Sequence, residues 1–183
     1  PRNLDYAKFA EIGNKHGCLL VADVAHIAGL IVGGALENPF NYGFHVMTST
    51  THKSLRGPRG GLIVSKGVVS SPLKAPEKTI QNIPTLIDRT VFPGVQGGPH
   101  MNTVLAKAVA FDEAHQESNK AYAQQTIANA KALANELMAH GVQLVTSGTD
   151  NHLILIDCVK TNGMNGKQAE ELLDTVGLTC NKN

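Results

Sequence analysis

A lysine and an aspartate, thirty positions apart, are the residues of this 183-residue chain best suited to chemistry. Lys53 lies in "TSTTHKSLRGPRGG" (48–61), after small hydroxyl residues and before glycines that let the backbone turn. Burial there, with Arg56 and Arg59 nearby, would favour the neutral amine, which is the form that attacks a carbonyl carbon. Taken alone, the position also suits an ordinary solvated loop lysine.

Asp23 lies inside the apolar run "CLLVADVA" (18–25), which predicts a short strand buried on both faces of a parallel sheet. A buried carboxylate is unfavourable unless a cation or hydrogen-bond donors contact it, so a partner is expected. That partner could be a protonated pyridine nitrogen, an arginine or the start of a neighbouring helix.

Asp23 and Lys53 are both expected at the carboxyl ends of strands, where open α/β sheets bind their ligands. An acid and a lysine meeting there suit pyridoxal phosphate, because the lysine can bond covalently to the cofactor aldehyde. The acid would keep the ring nitrogen protonated, so that the ring can accept electrons. The pair therefore indicates a pyridoxal-phosphate site more strongly than either residue alone.

The elements that must position these residues follow an α/β pattern. The first half predicts a helix over 4–15 and strands over 18–25, 45–52 and 60–66, the last two joined by a tight loop. Residues 67–98 are rich in proline and glycine, which predicts a mostly irregular region.

The second half predicts a different, smaller unit. Residues 100–140 favour one long helix or two in succession. The segments that follow predict strand, strand, helix and strand at 142–147, 152–159, 166–176 and 178–182. We place the domain boundary at about 112, which divides the chain into domains 1–112 and 113–183.

Composition limits the function classes. Hydrophobic residues make up 42% of the chain and charged residues 17%, which suits a soluble globular protein. A net charge of +1 with 4% aromatic residues argues against a nucleic-acid surface. The cysteines, Cys18, Cys158 and Cys180, form no CxxC pair, which favours a reducing cytoplasm, and no apolar run approaches the roughly 20 residues of a membrane helix.

Several ordered motifs resemble those of serine hydroxymethyltransferases. They are "VADVAHIAGL", "TSTTHKSLRGPRGG", "VFPGVQGGP", "SGTDNHLILID" and the final "CNKN", and together they extend over essentially the whole chain. The resemblance implies a fold type I pyridoxal-phosphate enzyme that interconverts serine and glycine and passes a one-carbon unit to tetrahydrofolate. The chain would comprise part of the large mixed-sheet domain followed by part of the small α+β domain.

The resemblance also implies roles for individual residues. Lys53 matches the lysine that bonds covalently to the cofactor, and Asp23 matches the partner of the pyridine nitrogen. His26 matches a histidine near the phenolic oxygen of the cofactor and the substrate. His52 and Thr50 match active-site residues that position the lysine.

Further matched residues imply a second subunit and a folate site. Arg59 matches an arginine behind the cofactor, and Asn183 matches an asparagine that contacts the folate. Gly97 and Gly98 match glycines whose N–H groups reach the cofactor phosphate of the neighbouring subunit, which implies a homodimer or homotetramer.

Two positions depart from the family pattern, and other parts of the family's site have no match. Asn102 stands where many relatives carry a histidine, and Ser49 replaces a threonine. The family's ring-stacking residue, phosphate-binding serine, catalytic glutamate and tyrosine, and carboxylate-binding arginine find no counterpart in the chain. We therefore expect a fragment that lacks N- and C-terminal parts and is inactive alone.

Three alternatives stay open at this stage. Another fold type I enzyme, such as a threonine aldolase or an aminotransferase, would use the same lysine and aspartate. A non-enzymatic assembly module is the second alternative. The third is a divalent metal site built from Asp23, His26, His45 and His52, although strand alternation would send these side chains in different directions.

Overall fold

A computed structural model describes residues 1–67 and 82–182 of the chain. These residues form two compact units, Leu4–Gln124 and Pro1–Asn3 with Gln125–Asn183. The predicted boundary at 112 stays a prediction. The helices are α1 (Tyr6–Lys15), α2 (Ala28–Val32), α3 (Ile83–Arg89), α4 (Met101–His115), α5 (Glu117–Ala139), α6 (Cys158–Asn162) and α7 (Gly166–Asp174).

A three-stranded mixed sheet lies in the first unit. It consists of β1 (Val21–Asp23), β2 (Val46–Thr50) and β3 (Gly61–Ser65), in that order. β1 pairs parallel to β2, and β2 pairs antiparallel to β3 across the loop that carries Lys53. The predicted strands and the tight loop between the last two are thus confirmed, and the unit is mixed α/β.

β1 is shorter and more exposed than predicted. Ala22 is buried, but its neighbour Val21 is 51% exposed and Asp23 is exposed as well. Side chains alternate across a strand, so only the Ala22 face packs against the core in the part of the chain that the structure describes. The expectation of a strand buried on both faces was therefore wrong.

The core of the first unit forms between α1 and the β1 face that carries Ala22. Asp5 begins α1 by accepting a hydrogen bond from the Lys8 N–H at 2.9 Å. Tyr6 then packs edge-on against Phe44, with ring centroids 5.5 Å apart. Other members of this core are Ala10, Leu20, Ala22, Val24, Ala28, Leu55 and Ala114.

Helices dominate the next part of the chain. α3 lies in a region predicted to be irregular, and that prediction was wrong for this helix. The turn Thr90–Val95 that follows is interrupted by extended backbone angles at Phe92 (φ −129°, ψ 122°). Residues 68–81 lie outside the described residues. α4 and α5 follow in succession, which is one of the two arrangements predicted for residues 100–140. None of the helices within residues 1–67 and 82–182 is long and apolar enough to cross a membrane.

The second unit contains fewer strands than predicted. Segments 142–147 and 152–159 pair only around the bridge between Leu144 and Ile156, with the Val145 N–H donating to the Leu155 carbonyl at 2.9 Å. Three consecutive positive φ angles, at Thr146 (67°), Ser147 (51°) and Gly148 (135°), turn the chain out of extended geometry and end the pairing.

The last part of this unit is helical or irregular. Asp157 caps α6 through the Lys160 N–H, so the end of the predicted strand 152–159 is a helix instead. The predicted helix near 166–176 is confirmed as α7, which begins with a capping box between Asn165 and Gln168. Residues 178–182 form no strand, so that prediction was wrong.

Arg2 supports the left-handed turn of the second unit. Its guanidinium donates to the carbonyl oxygens of Thr146 and Ser147, at 2.6 and 3.1 Å, and to the Asp150 carboxylate at 2.7 Å. The hydrogen bond from Arg2, with one from the Asn3 N–H, lowers the pKa of Asp150 below its ordinary value. The pairing thus contributes stability at neutral pH that is lost as acid protonates Asp150.

Candidate active site at the carboxyl ends of two parallel strands

Two short segments, 23–26 and 50–53, meet where β1 and β2 end. The parallel register continues past β1, because the Val24 N–H donates to the Thr48 carbonyl at 2.9 Å. Thr50 Oγ1 then lies 3.5 Å from the carbonyl oxygen of Ala25. The structure thus brings both segments to one edge of the sheet, where α/β proteins bind ligands.

Lys53 and His26 form a close pair of polar side chains at this site. Lys53 Nζ lies 3.2 Å from His26 Nε2. An ammonium group would donate to the imidazole nitrogen, and a neutral amine could accept from an Nε2–H, so the pair can hold one proton on either atom. Lys53 is exposed rather than buried, because its loop places the side chain at the open edge of the sheet.

Asp23 is also exposed, which corrects the expectation of a buried carboxylate. Its Oδ1 accepts a hydrogen bond from the Ala25 N–H at 2.9 Å, which stabilises the turn that follows β1. Within residues 1–67 and 82–182, Oδ2 has no hydrogen-bond donor. Asp23 therefore caps the turn with one oxygen and presents the other to solvent or a ligand.

His52 fixes the other side of the lysine loop. Its Nδ1 accepts from the Gly60 N–H at 3.3 Å, which assigns the neutral ring a proton at Nε2. Arg59 Nη1 lies 3.5 Å from Nε2, and because both groups are donors this is proximity rather than a hydrogen bond. Beside His52, Thr51 is fully buried and donates through Oγ1 to the Pro58 carbonyl at 2.6 Å.

Sequence reasoning missed the contacts behind the lysine loop. Gly29 of α2 donates its N–H to Ser54 Oγ at 3.0 Å, and the backbones approach so closely that a Cβ on Gly29 would collide with the Ser54 carbonyl. Arg56 has a left-handed φ of 59° and packs on the Tyr122 ring. A glycine within an apolar helical run was the available signal for Gly29, whereas nothing local marked Arg56.

Among residues 1–67 and 82–182, the remaining predicted site residues make no contact with Lys53. Gly97 and Gly98 are exposed, and a Cβ on either would meet no atom of the described residues within 4 Å. Asn183 lies outside the described residues. Among residues 1–67 and 82–182, no group of three or more His, Cys, Asp and Glu side chains could hold a metal ion, so the geometry does not support the metal alternative.

The residues at this edge fit pyridoxal phosphate. The cofactor needs an amine that its aldehyde can reach and an acceptor for a protonated ring nitrogen. Lys53 offers an exposed amine, and Asp23 Oδ2 offers the acceptor at the same edge of the sheet. When bound, the cofactor would be held by Lys53 and Asp23, with His26 beside the amine.

Comparisons with known proteins give a consistent result. A family model described as serine hydroxymethyltransferase matches residues 1–183. The chain is 49% identical to the serine hydroxymethyltransferases of Rickettsia akari (strain Hartford) and Rickettsia canadensis (strain McKiel), and 50% identical to that of Rickettsia peacockii (strain Rustic). Each alignment covers 100% of this chain but 40% of the relative, so the chain spans less than half the length of these proteins.

Proposed function

Because the chain belongs to the serine hydroxymethyltransferase family, we propose that the protein carrying it is a glycine hydroxymethyltransferase of one-carbon metabolism and amino-acid biosynthesis. It would convert serine and tetrahydrofolate reversibly into glycine and 5,10-methylenetetrahydrofolate. The observation that carries the proposal is the Lys53–His26 pair, 3.2 Å apart, at the same sheet edge as exposed Asp23. The proposal includes a fold type I architecture, with residues 1–112 in the large domain and 113–183 in the small domain.

Each residue has a role in the proposed reaction. When bound, pyridoxal phosphate supplies an electron sink that stabilises negative charge on the substrate Cα. Lys53 would hold the cofactor covalently, and His26 Nε2 would take up or return the proton of the Lys53 amine. Asp23 would accept a hydrogen bond from the protonated ring nitrogen.

The supporting residues hold these groups in place. Thr50 and His52 orient the segment before the lysine, the latter through its contact with the Gly60 N–H. We propose that Arg59 lies behind the cofactor and that Asn183 contacts the folate. The unpaired cysteines are consistent with a cytoplasmic location, which is part of the same proposal.

The test of the proposed function is serine cleavage by the full-length protein with and without tetrahydrofolate. We expect glycine formation from serine to depend strongly on tetrahydrofolate, because the one-carbon unit needs an acceptor. A threonine aldolase would instead cleave threonine quickly with no folate present. Folate-independent cleavage of threonine that exceeds folate-dependent cleavage of serine would favour that alternative.

A second subunit is part of the proposal. α4 exposes an apolar face directly after Gly97 and Gly98, and an apolar patch of this kind is typical of a protein interface. The exposed fractions are 65% for Met101, 44% for Val104 and 68% for Leu105. We propose that this face contacts the partner subunit of a homodimer or homotetramer. The contact would place the two glycines beside the cofactor phosphate of the partner.

Replacing Gly98 with alanine is expected to weaken cofactor binding by about tenfold while leaving the apo-protein melting temperature unchanged. Within the part of the chain that the structure describes, a Cβ at this position meets no atom within 4 Å, so we expect folding to tolerate it. In the proposed dimer, the same Cβ would stand between the backbone N–H and the phosphate of the neighbouring subunit. Absorbance titration with pyridoxal phosphate and thermal unfolding measure the two effects, and an unchanged cofactor affinity would argue against this role.

A further inference from the structure

The loop that carries Lys53 contains a strained residue. Arg56 has a φ of 59°, in the left-handed region that residues with a Cβ rarely adopt. In this conformation its N–H donates to the Lys53 carbonyl at 2.8 Å, and the following Gly57 N–H donates to the Thr51 carbonyl at 2.7 Å. The left-handed turn therefore fixes the backbone of Lys53 itself.

The Arg56 side chain is held by a helix more than sixty residues later in the chain. Its guanidinium carbon lies 4.4 Å from the centroid of the Tyr122 ring in α5, which is the geometry of a cation–π contact. One guanidinium nitrogen also lies 3.5 Å from Asn119 Oδ1. Asn119 is buried and donates through Nδ2 to the Ala114 carbonyl at 3.1 Å, so its oxygen is fixed toward the arginine.

We propose that Arg56, anchored on Tyr122 and Asn119, is a positioning residue for Lys53. The anchor offsets the strain of the left-handed turn and keeps the Lys53 amine beside His26. If the side-chain anchor is removed, the turn relaxes toward ordinary backbone geometry, and the hydrogen bonds from the Arg56 and Gly57 N–H groups open more often. The inference rests on the proposed function only for its effect on the cofactor.

Hydrogen exchange of the cofactor-free full-length protein tests the anchor directly. In Arg56→Ala and in Tyr122→Leu, we expect the amides of 51–57 to exchange about fivefold faster, which equals about 1 kcal/mol at 1.4 kcal/mol per tenfold. Tyr122→Phe keeps the ring that contacts Arg56 and should exchange more slowly than Tyr122→Leu. The double variant Arg56→Ala/Tyr122→Leu should exchange no faster than Arg56→Ala alone, because Arg56→Ala already removes the contact with the Tyr122 ring.

Lys66→Ala is the matched control. Lys66 Nζ lies 5.7 Å from the Phe40 ring in the same compact unit, so this variant also removes a cation–π contact but one distant from the lysine loop. Exchange of 51–57 should not change in this variant. Unchanged exchange in both Arg56→Ala and Tyr122→Leu, or rates that multiply in the double variant, would overturn the inference. If Arg56→Ala fails to fold, Tyr122→Leu alone decides, since Tyr122 is 48% exposed and its replacement leaves the backbone of the lysine loop unchanged.

A second readout connects the anchor to the cofactor. In the cofactor-loaded protein, Arg56→Ala and Tyr122→Leu should shift the pH midpoint of the visible cofactor band and lower kcat more than they change KM. Arg56→Lys keeps a cation over the ring and should partly restore both properties. Failure of the proposed function would appear as a cofactor band that persists without Lys53, whereas failure of the anchor would appear as unchanged exchange in 51–57.

Discussion

Replacing Lys53 with arginine is expected to abolish the absorbance band of the covalent lysine–cofactor link and to lower serine cleavage by roughly 10²-fold or more. Arginine keeps the positive charge but cannot bond covalently to the cofactor aldehyde, because its guanidinium stays protonated. The exposed side chain contacts His26, so the fold does not depend on its burial. The melting temperature of the cofactor-free protein should therefore stay within about 2 °C of the parent value.

Lys8→Arg provides the control for this experiment. Lys8 is an exposed lysine of the same compact unit, paired with Glu11 at 2.8 Å, and its replacement should change neither absorbance nor activity. Lys53→Ala adds a sharper test, since a small alkylamine in the buffer should restore part of the activity by replacing the missing amine. A covalent link between the cofactor and the protein that persists in Lys53→Arg would show that another residue binds the cofactor, and the assignment would be wrong.

The position of the candidate site could be predicted from the sequence because its signals are local. Each strand is a short apolar, β-rich run, although β1 and β2 end at Asp23 and Thr50, two residues before the ends of the predicted strands 18–25 and 45–52. Lys53 follows in the loop between β2 and β3 that the glycines predicted. Chain order and the rule that ligands bind at the carboxyl ends of strands were sufficient to predict that segments 23–26 and 50–53 lie together.

Burial could not be predicted in the same way, because it depends on what covers a surface rather than on the surface itself. The apolar run around Asp23 suggested two buried faces, yet Val21 and Asp23 point away from the core formed with α1. The strands predicted in the second unit failed for a related reason. Pairing around Leu144 ends because Thr146 and Ser147 have left-handed backbone angles. Threonine and serine rarely adopt such angles, so the sequence did not predict this turn.

Long-range contacts behind the lysine loop were also invisible to sequence reasoning. Arg56 meets Tyr122, and Gly29 meets Ser54, through packing between elements that are distant along the chain. Pattern and composition reveal which residues can do chemistry. Tertiary packing decides which other residues fix the positions of these chemical groups. Glycine at position 29 is the case in which this packing constraint is most severe.

Replacing Gly29 with alanine is expected to destabilise the first compact unit by about 2 kcal/mol or more and to displace the lysine loop. The added Cβ would lie 2.5 Å from the carbonyl carbon of Ser54 and would also collide with its oxygen. These are backbone atoms, so no side-chain rotation relieves the overlap, and α2 must move away from the loop. Leu55, which is buried beside this contact, would lose packing, and the hydrogen bond from the Gly29 N–H to Ser54 Oγ would break.

Two further variants separate this collision from a general intolerance of alanine. A Cβ on Gly61 of β3 would meet its nearest atom, the Ser49 carbonyl oxygen, at 3.9 Å, so Gly61→Ala should unfold close to the parent temperature. Ser54→Ala removes the hydroxyl acceptor but leaves the close backbone approach, and should cost about 1 kcal/mol. Gly29→Ala should therefore be the least stable of the three and the one that loses the visible cofactor band, because the backbone that carries Lys53 moves away from His26. Denaturant unfolding and absorbance spectra measure both effects, and a Gly29→Ala protein that matches Gly61→Ala in stability and absorbance would refute the close approach of α2 to the lysine loop.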